Sequence, residues 1–142
     1  MTTEDPFALE RFVSAQAGVM ARVLDELRAG RKQSHWMWFV FPQIAGLGRS
    51  PTAVHYAIAS LDEARAFLTH PVLGARLREC TQLVLDMEAK SAHAIFGSPD
   101  DLKFHSSMTL FAHAAPSEEI FLQALEKYFA GRPDNATVDR LR

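Results

Sequence analysis

The run Ser34-His35-Trp36-Met37-Trp38-Phe39-Val40-Phe41-Pro42-Gln43 constrains this chain more than any other stretch of it. At 100° per helical residue, Trp36 and Trp38 project about 200° apart, so a helix here carries aromatic groups on every side and leaves no face for water. Other elements must surround it. The same composition also suits a strand, and periodicity cannot separate the two over so short a run. Helix is the preferred reading, because every neighbouring segment looks helical and a lone strand would have nothing to pair with. Ser34 is placed to cap its start, and Pro42 ends it by forcing the preceding residue out of helical geometry.

The neighbours supply the wrapping. A helix is predicted from Pro6 to Ala29, capped by Asp5 and stopped at Gly30, with Leu9, Phe12, Val13, Met20, Val23, Leu24 and Leu27 on one stripe. Gln16 falls inside that stripe, and Gly18 marks a break or a close backbone contact. Gln43 to Ser50 reads as an irregular connection. Ser50-Pro51 opens a helix through about Ala59, and the capping box Ser60-Leu61-Asp62-Glu63 opens the next, through about Thr69. From Pro71 to Lys90 the stripe is Leu73, Leu77, Cys80, Val84 and Met87, with Cys80 a small buried hydrophobe. A turn or two spans Ser91 to Phe96. Ser98-Pro99-Asp100-Asp101 caps a helix to Ala114 that buries Phe104, Met108, Phe111 and Ala115. The last full helix, Ser117 to Ala130, turns Phe121, Leu125 and Tyr128 inward and stops at Gly131. Arg132 to Arg142 adds a short turn or frays. The expectation is all-α: a single compact domain, residues 1–142, of about seven helices around a short aromatic central helix.

Composition narrows the function classes. The 142 residues carry 15 basic and 17 acidic side chains, a net charge of -2 without an overall positive field, so nucleic acid is not an expected partner. The longest uninterrupted apolar run, Trp36 to Phe41, falls far short of the roughly 20 residues a membrane span needs. The first residues do not resemble a secretory signal, and a single cysteine, Cys80, permits no internal disulfide. A soluble, cytoplasmic domain is expected. No Rossmann fingerprint, phosphate loop or paired-carboxylate motif is present, and no cofactor is implied.

The aromatic block, followed by Gly46-Leu47-Gly48-Arg49-Ser50, resembles an uncharacterised bacterial family, number eighteen-ten among the domains of unknown function. Matching stretches are Leu9-Glu10-Arg11-Phe12, His70-Pro71-Val72-Leu73-Gly74, Ile95-Phe96-Gly97, and Asp101-Leu102-Lys103 running into Ser106-Ser107-Met108-Thr109-Leu110-Phe111. They cover nearly the whole chain. The resemblance implies an all-helical fold and supplies no activity. The label calpastatin often attached to the family carries no weight: that inhibitor is a disordered repeat protein, and this sequence is neither.

Candidate chemistry gathers where the aromatic helix begins and along the helix after Pro99. His35 sits at an N-terminal turn, where the helix dipole and burial would favour neutral imidazole. Lys103, His105, Ser106, Ser107 and Thr109 crowd polar groups into a helix whose other side is core, and Gln16 adds an amide. The candidate is a small-molecule pocket lined by Gln16, His35, Lys103, His105, Ser106 and Ser107, with Trp36 and Trp38 as walls. The competing reading is a protein-interaction or structural module in which the aromatic block is only core and Gln16 merely bonds a loop carbonyl. A nucleophile and base drawn from Ser106 or Ser107 with His35 or His105 lacks the Gly-x-Ser-x-Gly turn. His105 and His113 stand eight apart with no suitably spaced carboxylate, so no metal is assigned.

Overall fold

The computed structural model describes residues 5–142. Ten helices follow one another: α1 Glu10–Gln16, α2 Met20–Arg28, α3 Met37–Val40, α4 Pro51–His55, α5 Leu61–Thr69, α6 Leu73–Asp86, α7 Ala92–Phe96, α8 Asp100–Ala114, α9 Glu119–Phe129 and α10 Asn135–Arg140. Among the described residues the only extended pairing is an isolated parallel bridge between Ile44 and Ile58. Among the described residues no helix is long and apolar enough to cross a membrane.

Ten helices replace the expected seven or so for local reasons. The first predicted helix is two, because Ala17 turns extended and Gly18 takes φ +80°. A Cβ on Gly18 would meet nothing within 4 Å, so glycine is needed there for its backbone angle and not for room. Asp5 still serves the start of α1, accepting from the amides of Leu9 and Glu10 at 2.7 and 3.0 Å. The tail, read as a turn or a frayed end, forms α10. The hydroxyls of Ser50 and Ser60 cap as expected, accepting from the amides of Ala53 and Glu63, and Ser91, read only as the start of a short turn, caps α7 through the amide of Ala94; at α8 the N-cap position falls on Pro99, without the side-chain cap expected of Ser98.

The central element is α8 and not the aromatic helix. Phe104, every residue from Ser106 to Ala112, and Ala114 are buried, and α5, α7, α9 and α10 all pack against it. Small side chains let four neighbours approach so closely. Thr109 donates to the carbonyl of His105 in its own helix, Ser106 lies 3.1 Å from that of Leu102, and both hydroxyls also meet Asp134 just before α10, whereas the Ser107 hydroxyl has no partner. An amphipathic reading of this segment put the polar residues outside; tight packing around small hydroxyl residues puts them inside. One continuous core results, in which Phe41, Phe96 and Phe104 meet edge-on or stacked, with centroids 4.7 to 5.9 Å apart. Leu73, Leu77, Cys80 and Val84 line α6 as the stripe requires, and burial pushes the Cys80 thiol up to about 12, the behaviour of a core hydrophobe.

Candidate functional site

The aromatic segment does form a helix, but only over four residues, and its wrapping is one-sided. Trp36, Met37, Val40 and Phe41 are buried, whereas Trp38 and Phe39 are half-buried and His35 is exposed. Ser34 does not cap. Its amide and hydroxyl both donate to the Glu26 carboxylate, which also accepts from the amide of Gln33 at 2.7 Å and the Trp36 indole at 3.0 Å. A carboxylate offering several lone pairs is a stronger gatherer of donors than one helix turn, so the chain at 33–36 wraps Glu26 instead of starting a helix. Burial works to raise the Glu26 carboxyl, and the four hydrogen bonds outweigh it, holding the group down at about 2. His35 is therefore carried outside the helix and exposed to solvent, not placed in the buried N-terminal turn expected of it.

The exposed side of this segment faces α4 across a cleft of about 430 Å³. His35, Trp38 and Phe39 form one wall; Pro51, Thr52, His55 and Tyr56 form the other. The Phe39 and Tyr56 rings lie 5.5 Å apart at 58°, and the His55 ring stands edge-on to Tyr56 at 4.6 Å. Among the described residues, the side-chain polar groups of His35, Trp38, Thr52, His55 and Tyr56 have no hydrogen-bond partner in the protein. A smaller pocket elsewhere on the molecule, about 270 Å³ beside Ser60 and Arg140, lacks aromatic rings altogether.

Both walls are held from behind by α1. The Gln16 side chain, 2% exposed, donates to the carbonyl of Phe39 at 2.8 Å and accepts from Arg76 at 3.2 Å. Arg11 donates to the carbonyls of His55 and Ala57 at 2.9 and 3.0 Å and pairs with Glu63 at 2.7 Å. Gln16 is thus a brace and not a ligand contact, as a buried amide with both ends satisfied must be. Lys103 does not line the cleft but touches one of its wall residues: its ammonium lies 4.6 Å from the centroid of the Trp38 ring and 3.5 Å from Asp100. Asp100 makes its shorter contact, 2.8 Å, with the buried Lys32.

The remaining predicted residues lie elsewhere. Trp36 faces the core with its indole N–H committed to Glu26. His105 stacks on Phe129, centroids 4.0 Å apart, with Nε2 against the carbonyl of Arg132 at 2.8 Å. Ser106 donates to Asp134 at 2.7 Å, Thr109 accepts from the Asp134 amide, and Thr137 donates to the same carboxylate. That polar cluster fastens α10 to α8. Ser107 is fully buried with its hydroxyl unpartnered, so no imidazole stands ready to activate it, and the nucleophile scheme has no geometry here. His113 bonds its own helix at Thr109. Sequence reasoning missed Glu26, Arg11, Thr52, His55 and Tyr56; the one usable signal was the adjacent pair His55-Tyr56, two amphipathic rings at the end of a short helix.

Fold and cleft define a class: an all-helical domain with an aromatic cleft at its surface. The chain matches the family model described as protein of unknown function (DUF1810) over residues 6–141, and it belongs to that family. It is similar to the crystal structure of the conserved hypothetical protein Rv1873 from Mycobacterium tuberculosis, with 58% identity and a TM-score of 0.95, covering 96% of this chain and 98% of that one. Comparison with curated proteins gave no significant match.

Proposed function

We propose that the cleft between α3 and α4 binds a small molecule through His35, Trp38, His55 and Tyr56. The observation that carries this reading is the convergence of three aromatic rings and two imidazoles whose polar atoms have no partner within the described protein. Half-buried Trp and Tyr usually engage their polar tips, and a concave aromatic surface with a few unengaged donors is the common form of a ligand site. Its volume, about 430 Å³, lies within the range that holds a metabolite-sized ligand. The walls are also pre-organised: Gln16 and Arg11 fix the Phe39 and His55 backbones with hydrogen bonds from α1, which reduces the ordering a ligand would have to impose. The large exposed hydrophobics, Val54, Leu102 and Leu122, are single side chains on three different helices, which gives the interaction-module reading less to stand on.

Thermal denaturation with a panel of metabolites tests the reading. A ligand at about 100 times its Kd stabilises the native state by about 2.7 kcal/mol, a rise of several degrees in Tm. The same compounds should leave the Trp38→Ala and Tyr56→Ala variants unmoved, while Ser106→Ala, far from the cleft, should respond as the native chain does. Stabilisation that persists in both aromatic variants would place the ligand elsewhere.

A further inference from the structure

We infer that the ligand of this cleft is a flat aromatic ring carrying an anionic group, an inference that rests on the small-molecule reading above. The ring follows from the walls. Trp38, Phe39 and Tyr56 present the polarisable ring surfaces on which another ring stacks, and the Phe39 and Tyr56 rings, 5.5 Å apart and tilted by 58°, meet where the two walls join to form the floor.

The sign of the charge follows from what surrounds that floor. None of the seven lining residues is acidic, and each of the groups without protein partners can donate to an anion: the Trp38 indole N–H, the Thr52 and Tyr56 hydroxyls and an N–H on each of His35 and His55. The charge in contact with the lining is the Lys103 ammonium, 4.6 Å from the Trp38 ring centroid. Its carboxylate, Asp100, lies at 3.5 Å from Lys103 but at 2.8 Å from Lys32, so the closer neutralisation goes to the buried lysine. An aromatic cage for a cationic ligand requires the opposite arrangement, with ring faces free of cations and a carboxylate at hand. Here the Trp38 ring already holds an ammonium, and a second cation would be repelled by it. An anion would be drawn to Lys103 and would find donors on both walls.

The test is a charge series on one ring, read by the side-chain indole signals in two-dimensional ¹H–¹⁵N NMR of the full chain. Two tryptophans give two such signals, and only that of Trp38 borders the cleft, since Trp36 is bound to Glu26. Phenylacetate, phenylacetamide and phenethylammonium are titrated, with acetate as the anion that lacks a ring. Phenylacetate should shift the Trp38 signal with a Kd about five to tenfold lower than that of phenethylammonium, the size of one partly screened charge pair. Acetate should shift it little, and Lys103→Met should compress the difference between the two charged probes to about twofold or less. Equal affinities across the series, or tighter binding of the ammonium, would overturn the inference while leaving the cleft as a binding site. If the metabolite panel binds elsewhere and no ring compound moves Trp38, the cleft reading and this inference fail together. Because the series is run first on the unaltered chain, the result stands even if the Lys103 variant folds poorly.

Discussion

At the scale of single residues, the side chains that matter most for the cleft's frame are not in it. Glu26 organises the approach to the aromatic helix with four hydrogen bonds, and its carboxyl is held at about 2 against an ordinary value of 4.5. A depressed carboxylate stabilises the fold in full above its unfolded value and loses that contribution as pH falls from about 4.5 toward 2. We expect Glu26→Gln to destabilise the protein by about 2 kcal/mol at neutral pH and to flatten the stability profile between those limits. Urea unfolding at stepped pH measures both; parallel profiles for the two proteins would refute the role. Ser107 makes the opposite case. Its hydroxyl is buried without a partner, so Ser107→Ala should be neutral or stabilise by up to about 1.5 kcal/mol, and a marked loss in Tm would show that the hydroxyl has a function.

At the scale of elements, most junctions trace to one residue with one physical reason. Gly74 in the first turn of α6 is an example. A Cβ there would lie 2.1 Å from the carbonyl oxygen of Leu68, which is backbone near the end of α5 and cannot step aside. Gly74→Ala should therefore destabilise by about 2 to 4 kcal/mol, as overpacking against a fixed neighbour does, and a chemical denaturation midpoint within error of the native chain would contradict it. The His70 ring caps the same start, its Nδ1 accepting from the amides of Val72 and Leu73 at 3.1 and 3.2 Å. At the other end of the chain, α10 is held by polar contacts: Asp134 joins Ser106, Thr109 and Thr137. Hydrogen exchange should find the α10 amides protected in the native chain and exposed in Asp134→Ala, with α8 unchanged, because few apolar contacts remain to hold so short a helix.

At the scale of the whole molecule, one core implies one transition. Tryptophan fluorescence, which reports the segment around Trp36, and far-ultraviolet circular dichroism, which reports all ten helices, should give coincident denaturation curves. Separate midpoints would mean that the α1–α4 part, with the cleft, unfolds apart from the α5–α9 part. Much of the architecture was legible in order: the caps at Ser50 and Ser60, the stripe through Cys80 on α6, the stops at Gly30 and Gly97, and the all-helical class. These depend on contacts within a few residues, which local chemistry dictates. The site was legible only in part. His35, Trp38 and Lys103 came from the sequence, but their partners His55 and Tyr56 lie across a loop whose course is set by Arg11, Gln16 and the Ile44–Ile58 bridge. The sequence by itself thus determined the all-helical class, the place of most of the longer helices and that the aromatic run needed shelter. Tertiary structure alone decided which side of that run was sheltered and that α8, not the run, lies at the centre. Burial is a property of how many neighbours close over a face, and a face that periodicity marks as polar can still be enclosed when its side chains are small enough for neighbouring helices to close over them.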